Sequence, residues 1–166
     1  MENSVNINHY EFESPIGCIA VEDNSHEITA VRFLKDKNAE NFTEPTEIAK
    51  LAKKQLYEYF SGRRKNFDLP VLMVGTDFQK RVWTELLNIP YGEVCSYKDI
   101  AVRIGNPNAC RAVGGANNKN NIPIIIPCHR VIGAGGKLVG YSDGLEIKKF
   151  LINLEMGVGF IDLNVL

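Results

Sequence analysis

The residues Ile126-Pro127-Cys128-His129-Arg130 set a cysteine between a proline and a histidine. They follow the apolar run Ile122-Pro123-Ile124-Ile125 and precede Val131-Ile132 and a glycine-rich segment, residues 133–140. Thiolate is the strongest common side-chain nucleophile, but a free cysteine titrates near 8.5, so only about 3% is ionised at neutral pH. Chemistry at Cys128 therefore needs a proton acceptor or positive charge nearby, and His129 and Arg130 are of the right types. A third group is suggested further along. Glu155 lies four residues after Leu151 and eight after Ile147, on the apolar side of a helix and close to its C-terminal end. A carboxylate is unfavourable there with the helix dipole, so it calls for a partner. Glu155 orienting His129 against Cys128 gives the logic of a cysteine triad. The context of Cys128 reads as the end of a buried strand, in which neighbouring side chains point to opposite sides, so Cys128 and His129 must couple through a turn or a water.

The competing use of cysteine and histidine is a metal site. Cys18, Cys95, Cys110 and Cys128 form no Cys-x-x-Cys pair, and no His-x-x-x-His occurs, so the expectation is no metal.

The elements that must position these groups fall into two halves. Residues 10–34 alternate and turn as an antiparallel meander, with breaks at Ser14-Pro15-Ile16-Gly17 and Asp23-Asn24-Ser25. Residues 46–60 carry Ile48, Leu51, Ala52, Leu56 and Tyr59 at helical spacing, and Gly62 ends that helix. Pro70 to Gly75 is the expected junction, giving domains 1–74 and 75–166. The second half opens with a helix capped by Thr76, with Val82, Trp83 and Leu86 inward. Ser96 caps another helix. Gly105-Asn106-Pro107 turns the chain into a further helix over residues 108–118, a helix-turn-helix pattern. That last helix contains Ala109, Ala112, Gly114, Gly115 and Ala116, with Arg111 as its one long cation. Two helical glycines cost roughly 1 kcal/mol each relative to alanine, so their use is close approach to another surface, either a helix or a nucleic-acid groove. For the final helix, Asp143 and Glu146 have capping-box spacing and Ile147, Leu151 and Leu154 form the inward face.

The chain of 166 residues carries a net charge of −1, which alone says nothing about partners. Its distribution says more. Between Ser96 and Arg130 the cations Lys98, Arg103, Arg111, Lys119 and Arg130 stand against Asp99 alone, a positive patch around the candidate nucleophile that suits an anionic partner. With 45% hydrophobic residues the chain can bury a core. Met1-Glu2-Asn3-Ser4 lacks the pattern of a signal peptide, no apolar run is long enough to span a membrane, and four unpaired cysteines suit a reducing compartment, so a cytoplasmic location is expected.

Pro127-Cys128-His129-Arg130-Val131-Ile132 resembles the active-site signature of the 6-O-alkylguanine-DNA alkyltransferases, the methylated-DNA–protein-cysteine methyltransferases. So do its companions: Ile89-Pro90-Tyr91-Gly92-Glu93-Val94-Cys95-Ser96-Tyr97, Arg111-Ala112-Val113-Gly114-Gly115-Ala116, Asn120, Gly140-Tyr141-Ser142 and Glu155. The resemblance covers nearly all of residues 76–155; Gln55 to Gly62 and Phe67-Asp68-Leu69-Pro70 extend it more weakly. It implies an α+β protein in two parts, a small N-terminal antiparallel sheet with a helix (ribonuclease-H-like), then a mostly helical C-terminal domain with the helix-turn-helix.

The implied activity is direct DNA repair. The recognition helix lies in the minor groove of duplex DNA, an alkylated guanine is flipped into a pocket, and the alkyl group moves irreversibly onto Cys128, once per molecule. The implied partner is double-stranded DNA containing 6-O-alkylguanine, with 4-O-alkylthymine as a further substrate. The protein would act as a monomer, without cofactor, metal or membrane. In this pattern Glu155 holds His129, which activates Cys128 through a water, and Asn120 braces the turn. Arg111 fills the vacated stack, with Ala112, Gly114 and Gly115 against the DNA. Tyr97 helps to extrude the nucleotide and donates to the base. Pro123, Val131 through its carbonyl, Tyr141 and Ser142 line the guanine pocket. Two departures stand out. Asp143, where relatives often have glycine, would narrow tolerance for bulky alkyl groups, and the N-terminal half lacks the cysteine and histidine set of zinc-bearing relatives. Two other classes remain: a sensor of alkylated bases that does not repair them, which the presence of Cys128 disfavours, and a multiple-turnover cysteine hydrolase, which stoichiometry would separate.

Overall fold

The computed structural model describes residues 6–35 and 44–158; Met1-Glu2-Asn3-Ser4 lie outside them. The chain divides into two units, Met1–Val74 and Gly75–Leu166.

In the first unit, β1 (Asn8–Ser14), β2 (Gly17–Asp23) and β3 (Ile28–Leu34) form an antiparallel sheet in the order β1-β2-β3. The β1–β2 register runs from Asn8 opposite Asp23 to Ser14 opposite Gly17. One face buries Phe12, Ile19, Val21, Ile28 and Val31 in a core with α1 (Glu47–Phe60). The inward stripe of α1 is Ile48, Ala52, Gln55, Leu56 and Tyr59. Thr46 caps this helix by accepting from the Ala49 N–H, and its hydroxyl donates to Asp23 at 2.9 Å, which ties the helix start to the sheet. Buried Gln55 is satisfied by the backbone of Asp68, donating to its carbonyl at 3.2 Å and accepting from its N–H at 2.9 Å. This pins the extended piece that continues to Val71 beside Ile28.

The second unit contains α2 (Asp77–Leu86), the short β4 (Cys95–Ser96), α3 (Tyr97–Arg103), α4 (Cys110–Asn118), the short β5 (Val131–Ile132) and α5 (Leu145–Met156). The first two helices begin with full capping boxes, Thr76 with Gln79 and Ser96 with Asp99. β4 and β5 pair in parallel, Cys95 opposite Val131. Helices α3 and α4 and the turn between them form the helix-turn-helix, packed on α2. Buried Trp83 of α2 donates from Nε1 to the Ala116 carbonyl of α4 at 2.8 Å, which fixes α4 against its support. Among the described residues no helix is long and apolar enough to cross a membrane.

Three expectations are corrected. The apolar run at residues 122–127 is buried, but as a tight turn rather than a strand; Ile126 N–H donates to the Ile122 carbonyl at 2.9 Å and Ile124 has φ 71°. Short apolar runs carry no periodicity that separates these cases. The Asp143–Glu146 capping box does not form, because Gly144, with φ 104°, occupies the cap position and makes no side-chain bond. The buried stripe of α5 is Lys148, Leu151, Ile152 and Glu155, not Ile147, Leu151 and Leu154. The helix is rotated so that two charged residues at i and i+7 face inward, an arrangement that only polar partners on the other side can hold.

Trp83→Phe keeps the packing and removes the bond to α4. The expected loss is about 1–3 kcal/mol of unfolding free energy, read from urea denaturation followed by circular dichroism. An unchanged midpoint would show that this bond does not hold α4.

Candidate active site

The Cys128 turn is built by backbone strain and amide clips. A positive φ at a β-branched residue such as Ile124 costs on the order of 1–3 kcal/mol and persists only where the surroundings over-determine it. Asn120 supplies that constraint. Its side-chain N–H donates to the Ile126 carbonyl at 2.9 Å and its oxygen accepts from the Ile122 N–H at 3.0 Å. Asn117, on the inner side of α4, donates to the Cys128 carbonyl at 3.2 Å, so the turn is anchored to the helix-turn-helix. Cys128 to Arg130 then make a single 3-10 turn, which puts the side chains of Cys128 and His129 on neither a strand's two faces nor a common one.

Behind this turn sits a buried charge cluster. His129 Nε2 lies 2.6 Å from Glu155 Oε1. Arg130 donates from Nε to Glu155 Oε2 at 2.8 Å and from Nη2 to Oε1 at 3.1 Å, and its Nη1 donates to the Ile89 carbonyl. The Gly92 N–H donates to Glu155 Oε2 at 3.2 Å. Gly92 has φ +80°, and a Cβ there would lie 3.1 Å from the Glu155 carbonyl oxygen, so glycine suits this contact twice over. Burial alone would raise the Glu155 pKa, but His129 and Arg130 outweigh it and hold the carboxyl at about 2. The acid is thus ionised. Burial lowers the His129 pKa from its ordinary value, with Glu155 opposing. A neutral imidazole beside a carboxylate must donate from Nε2, which leaves Nδ1 as the basic nitrogen. Nδ1 is buried and has no hydrogen-bond partner among the described residues.

Cys128 is 4% exposed, and burial pushes its thiol up to about 11, with the Asn120 amide and Lys148 pulling down and Asp143 pushing up. At neutral pH the resting sulfur is a thiol. The guanidinium of Arg130, a candidate for stabilising the thiolate, is committed to Glu155 instead, and it is buried, so it leaves the surface patch. Arg103, Lys98, Arg111 and Lys119 are all exposed; Arg103 lies 3.7 Å from Glu85, and Lys98 Nζ donates to the Pro107 carbonyl at 2.7 Å.

A cavity of about 620 Å³ opens between Tyr97, Arg111, Gly114, Val139 and Gly140. Cys128 is not among its lining residues. The Tyr97 hydroxyl donates to the Val139 carbonyl at 3.1 Å across one wall. Gly140 has φ +63°, and a Cβ there would meet the Tyr97 hydroxyl oxygen at 3.0 Å, so glycine lets that ring close over the loop. On α4, Arg111, Ala112 and Gly115 are exposed and Gly114 is half-buried. A Cβ on Gly115 would meet nothing within 4 Å, so its bareness serves no contact within the chain. Of the expected pocket residues, Pro123, Val131 and Tyr141 are buried, and Ser142 is exposed beside Asp143. Burial raises the Tyr141 pKa well above its ordinary value, and Cys128 adds to this, so the phenol faces the sulfur. The sequence singles out neither Asn117 nor Lys148, and Gly92 enters only within the Ile89–Tyr97 motif, without a role; Lys148 carries a signal in its helical spacing with Leu151, Ile152 and Glu155.

Residues 77–157 match the family described as 6-O-methylguanine DNA methyltransferase, DNA binding domain, and residues 9–73 match its ribonuclease-like domain. The chain belongs to the methylated-DNA–protein-cysteine methyltransferases. A relative from Methanosarcina acetivorans with that name is 51% identical over 87% of this chain and 95% of its own. The constitutive methylated-DNA–protein-cysteine methyltransferase of Bacillus subtilis is 46% identical over 86% and 92%. The Mycobacterium tuberculosis protein solved in complex with DNA superposes with a TM-score of 0.83 at 45% identity, covering 90% of this chain and 93% of its own. The α+β architecture of a small antiparallel sheet followed by a helical part is that of the family.

The Glu155 carboxyl binds its proton less tightly folded (about 2) than free (4.5). It therefore adds stability above pH 4.5, and that contribution is lost as pH falls from 4.5 toward 2. Urea midpoints measured across this range are expected to fall more steeply for the natural protein than for Glu155→Gln. Equal slopes would remove Glu155 as the source.

Proposed function

We propose that the protein repairs DNA directly, taking the alkyl group of 6-O-alkylguanine onto Cys128 in one irreversible turnover. The observation that carries this reading is the buried Cys128 turn backed by the ionised Glu155 and an imidazole whose Nδ1 is left basic. In the step, a water relays the Cys128 proton to His129 Nδ1, and Glu155 steadies the imidazolium. The sulfur attacks the alkyl carbon. The S–C bond forms as the C–O bond breaks, the bonding pair stays on the guanine oxygen, and a proton returns to the guanine ring. Overall the alkyl group goes from oxygen to sulfur and a hydrogen goes the other way. The product is a thioether, which unlike an acyl thioester has no carbonyl for water to attack, so the reading is stoichiometric transfer and not turnover hydrolysis.

Delivery of the base follows from the exposed, nearly bare face of α4. Ala112, Gly114 and Gly115 let backbone approach a minor groove, and the exposed Lys98, Arg111 and Lys119 supply attraction to phosphate. Arg111 enters the stack left by the flipped nucleotide. Tyr97 moves its hydroxyl from the Val139 carbonyl to the base, stabilising charge that develops on the leaving guanine. Tyr141, Ser142, Pro123 and the Val131 carbonyl bound the guanine, and Asn120 holds the turn. The chain's two parts take the roles of an N-terminal α/β domain, residues 1–74, and a DNA-binding and alkyl-transfer domain, residues 75–166, in a protein that acts as a monomer.

Incubation with duplex DNA bearing 6-O-methylguanine is expected to add the mass of one methylene to the Cys128 peptide, one per protein, and Cys128→Ala should bind the DNA without reacting. Persistent lesion beside unmodified Cys128, or product released beyond one equivalent, would sink this reading.

Arg111→Ala is expected to slow repair of duplex by roughly 5- to 150-fold, the equivalent of about 1–3 kcal/mol of stacking. Its rate with the free 6-O-methylguanine base should change far less. Equal losses on both substrates would rule out the stacking role.

A further inference from the structure

Asn117 is 2% exposed on the inner side of α4. Its carboxamide nitrogen donates to the Cys128 carbonyl at 3.2 Å, while its Oδ1 is buried and has no hydrogen-bond partner among the described residues. That one bond fixes the orientation of the amide. A peptide carbonyl only accepts, so the end that meets Cys128 is the NH2 group and the free end is the oxygen. Burying an acceptor without a partner costs the desolvation of that group, and a side chain kept for packing alone would be apolar. The backbone that carries the amide is pinned. Trp83 Nε1 donates to the neighbouring Ala116 carbonyl at 2.8 Å, and the Asn120 N–H donates to the Asn117 carbonyl at 3.3 Å.

The surroundings of this oxygen indicate what it is placed to meet. Arg111, Gly114 and Asn118 of α4 line the cavity, and the Tyr97 ring lies 3.9 Å from where a Gly114 Cβ would stand. Asn117 follows Gly114 by one helical turn, so it adjoins the cavity wall on one side and the nucleophile's own carbonyl on the other. His129, which handles the proton, is held instead from α5 by Glu155. At rest the whole region is closed. Cys128 is 4% exposed, and the Tyr97 hydroxyl is bonded to the Val139 carbonyl across the wall. A base brought to the sulfur from the cavity comes within reach of Oδ1, a fixed acceptor that lacks a donor.

We propose that Asn117 is a specificity-determining residue, its Oδ1 accepting from the 2-amino group of the flipped guanine. This rests on the reading of Cys128 as the alkyl acceptor. Alkylation at the 6-oxygen strips the proton from ring nitrogen N1, so the 2-amino group is the only donor left on the pairing edge of the base. A flipped base is read by hydrogen bonds to that edge. The alkylated oxygen stands at one end of it and the amino group at the other. With the alkyl carbon on Sγ, the amino group lies a few ångströms along, in the neighbourhood of the amide that holds the Cys128 carbonyl. An alkylated hypoxanthine, the same ring system without the amino group, leaves Oδ1 unpaired. A site built around a hydrogen bond rejects the analogue that lacks the partner more strongly than an apolar pocket rejects a change of shape. Neither the thiol nor the His129–Glu155 pair can make that choice, since the reacting atoms of the two bases are the same.

The test compares the full-length natural protein with Asn117→Leu, which keeps the volume and removes the acceptor. Each is reacted with duplex DNA bearing 6-O-methylguanine or 6-O-methylhypoxanthine, and the rate at which methyl appears on the Cys128 peptide is read by mass spectrometry. The deciding quantity is the ratio of the two rates within each protein, because loss of the clip on the Cys128 carbonyl slows both bases alike. The natural protein is expected to favour the guanine base about tenfold, and Asn117→Leu to bring the ratio close to one. The same ratio in both proteins overturns the proposal, since a clip on the turn or a hold on the relay water acts on both bases equally. If Asn117→Leu does not fold by circular dichroism, the side-chain carbonyl carbon of Asn117 is followed by NMR in Cys128→Ala bound to each duplex. A shift with the guanine base that is absent with the hypoxanthine base supports the hydrogen bond, and the same shift with both overturns it. Failure of the underlying reading is separate. No methyl on Cys128 of the natural protein with 6-O-methylguanine ends the alkyl-transfer reading, whereas methyl transfer with an unchanged ratio leaves that reading standing and ends this one.

Discussion

The buried carboxylate of Glu155 sets the geometry on which the second unit depends. Taking an ion pair out of water is costly, and only good geometry with every lone pair engaged makes it tolerable. Here the two oxygens accept from His129, from Arg130 twice and from the Gly92 N–H. Those donors come from the 3-10 turn after Cys128 and from the loop before β4, and the acceptor comes from α5. Three segments far apart in sequence are therefore fixed by one charge. Arg130 extends the cluster to the Ile89 carbonyl. The cysteine turn is held on its other side by Asn120 and Asn117. His129 gains its orientation, and so its basic Nδ1, from a cluster whose first task is to close the fold.

Where side chains dictate local structure, the sequence could be read. Thr76 with Gln79 and Ser96 with Asp99 announce helix starts, because a side-chain oxygen three residues before a matching partner has a direct use there. Glu155 on an apolar helix face near its end implied a buried partner for the same reason: a misplaced charge is informative. The failures have a common cause. Gly144 begins α5 through backbone conformation, which leaves no polar signature, and the Asp143–Glu146 spacing misled. The strained turn at Ile124 is held by the side-chain amide of the nearby Asn120, and the apolar run between them has no periodicity to separate a turn from a strand. Arg130 entered the count of a surface patch because charge counting carries no depth, while the structure buries it against Glu155. Lys148 escaped notice because charged residues ordinarily point outward.

The helix-turn-helix raises the complementary point about what stability alone would choose. Gly114 and Gly115 sit in α4 at a cost to helix propensity, and only Gly114 has a neighbour, Tyr97, within 4 Å of where a Cβ would lie. The open space above Gly115 means that no internal packing demands glycine there. Trp83 bonding to the Ala116 carbonyl supplies from behind the rigidity that the bare face gives up. A helix weak in its own propensity but clamped on its inner side can present an unobstructed backbone to a partner.

The state of Cys128 ties these features together. A nucleophile whose thiol is pushed up to about 11 looks unsuited to chemistry at neutral pH. Under the alkyl-transfer reading it fits a molecule that is consumed by a single reaction. A standing thiolate would be open to oxidation and to any soluble electrophile, and each such event would waste a protein. Keeping the sulfur neutral and buried leaves it inert at rest. On that same reading the basic nitrogen of His129, already in place, lowers the cost of ionisation where substrate is bound and needs no reorganisation as charge develops. On the alkyl-transfer reading, a high resting pKa and a pre-oriented base are two parts of one device, reactivity withheld until the base occupies the pocket.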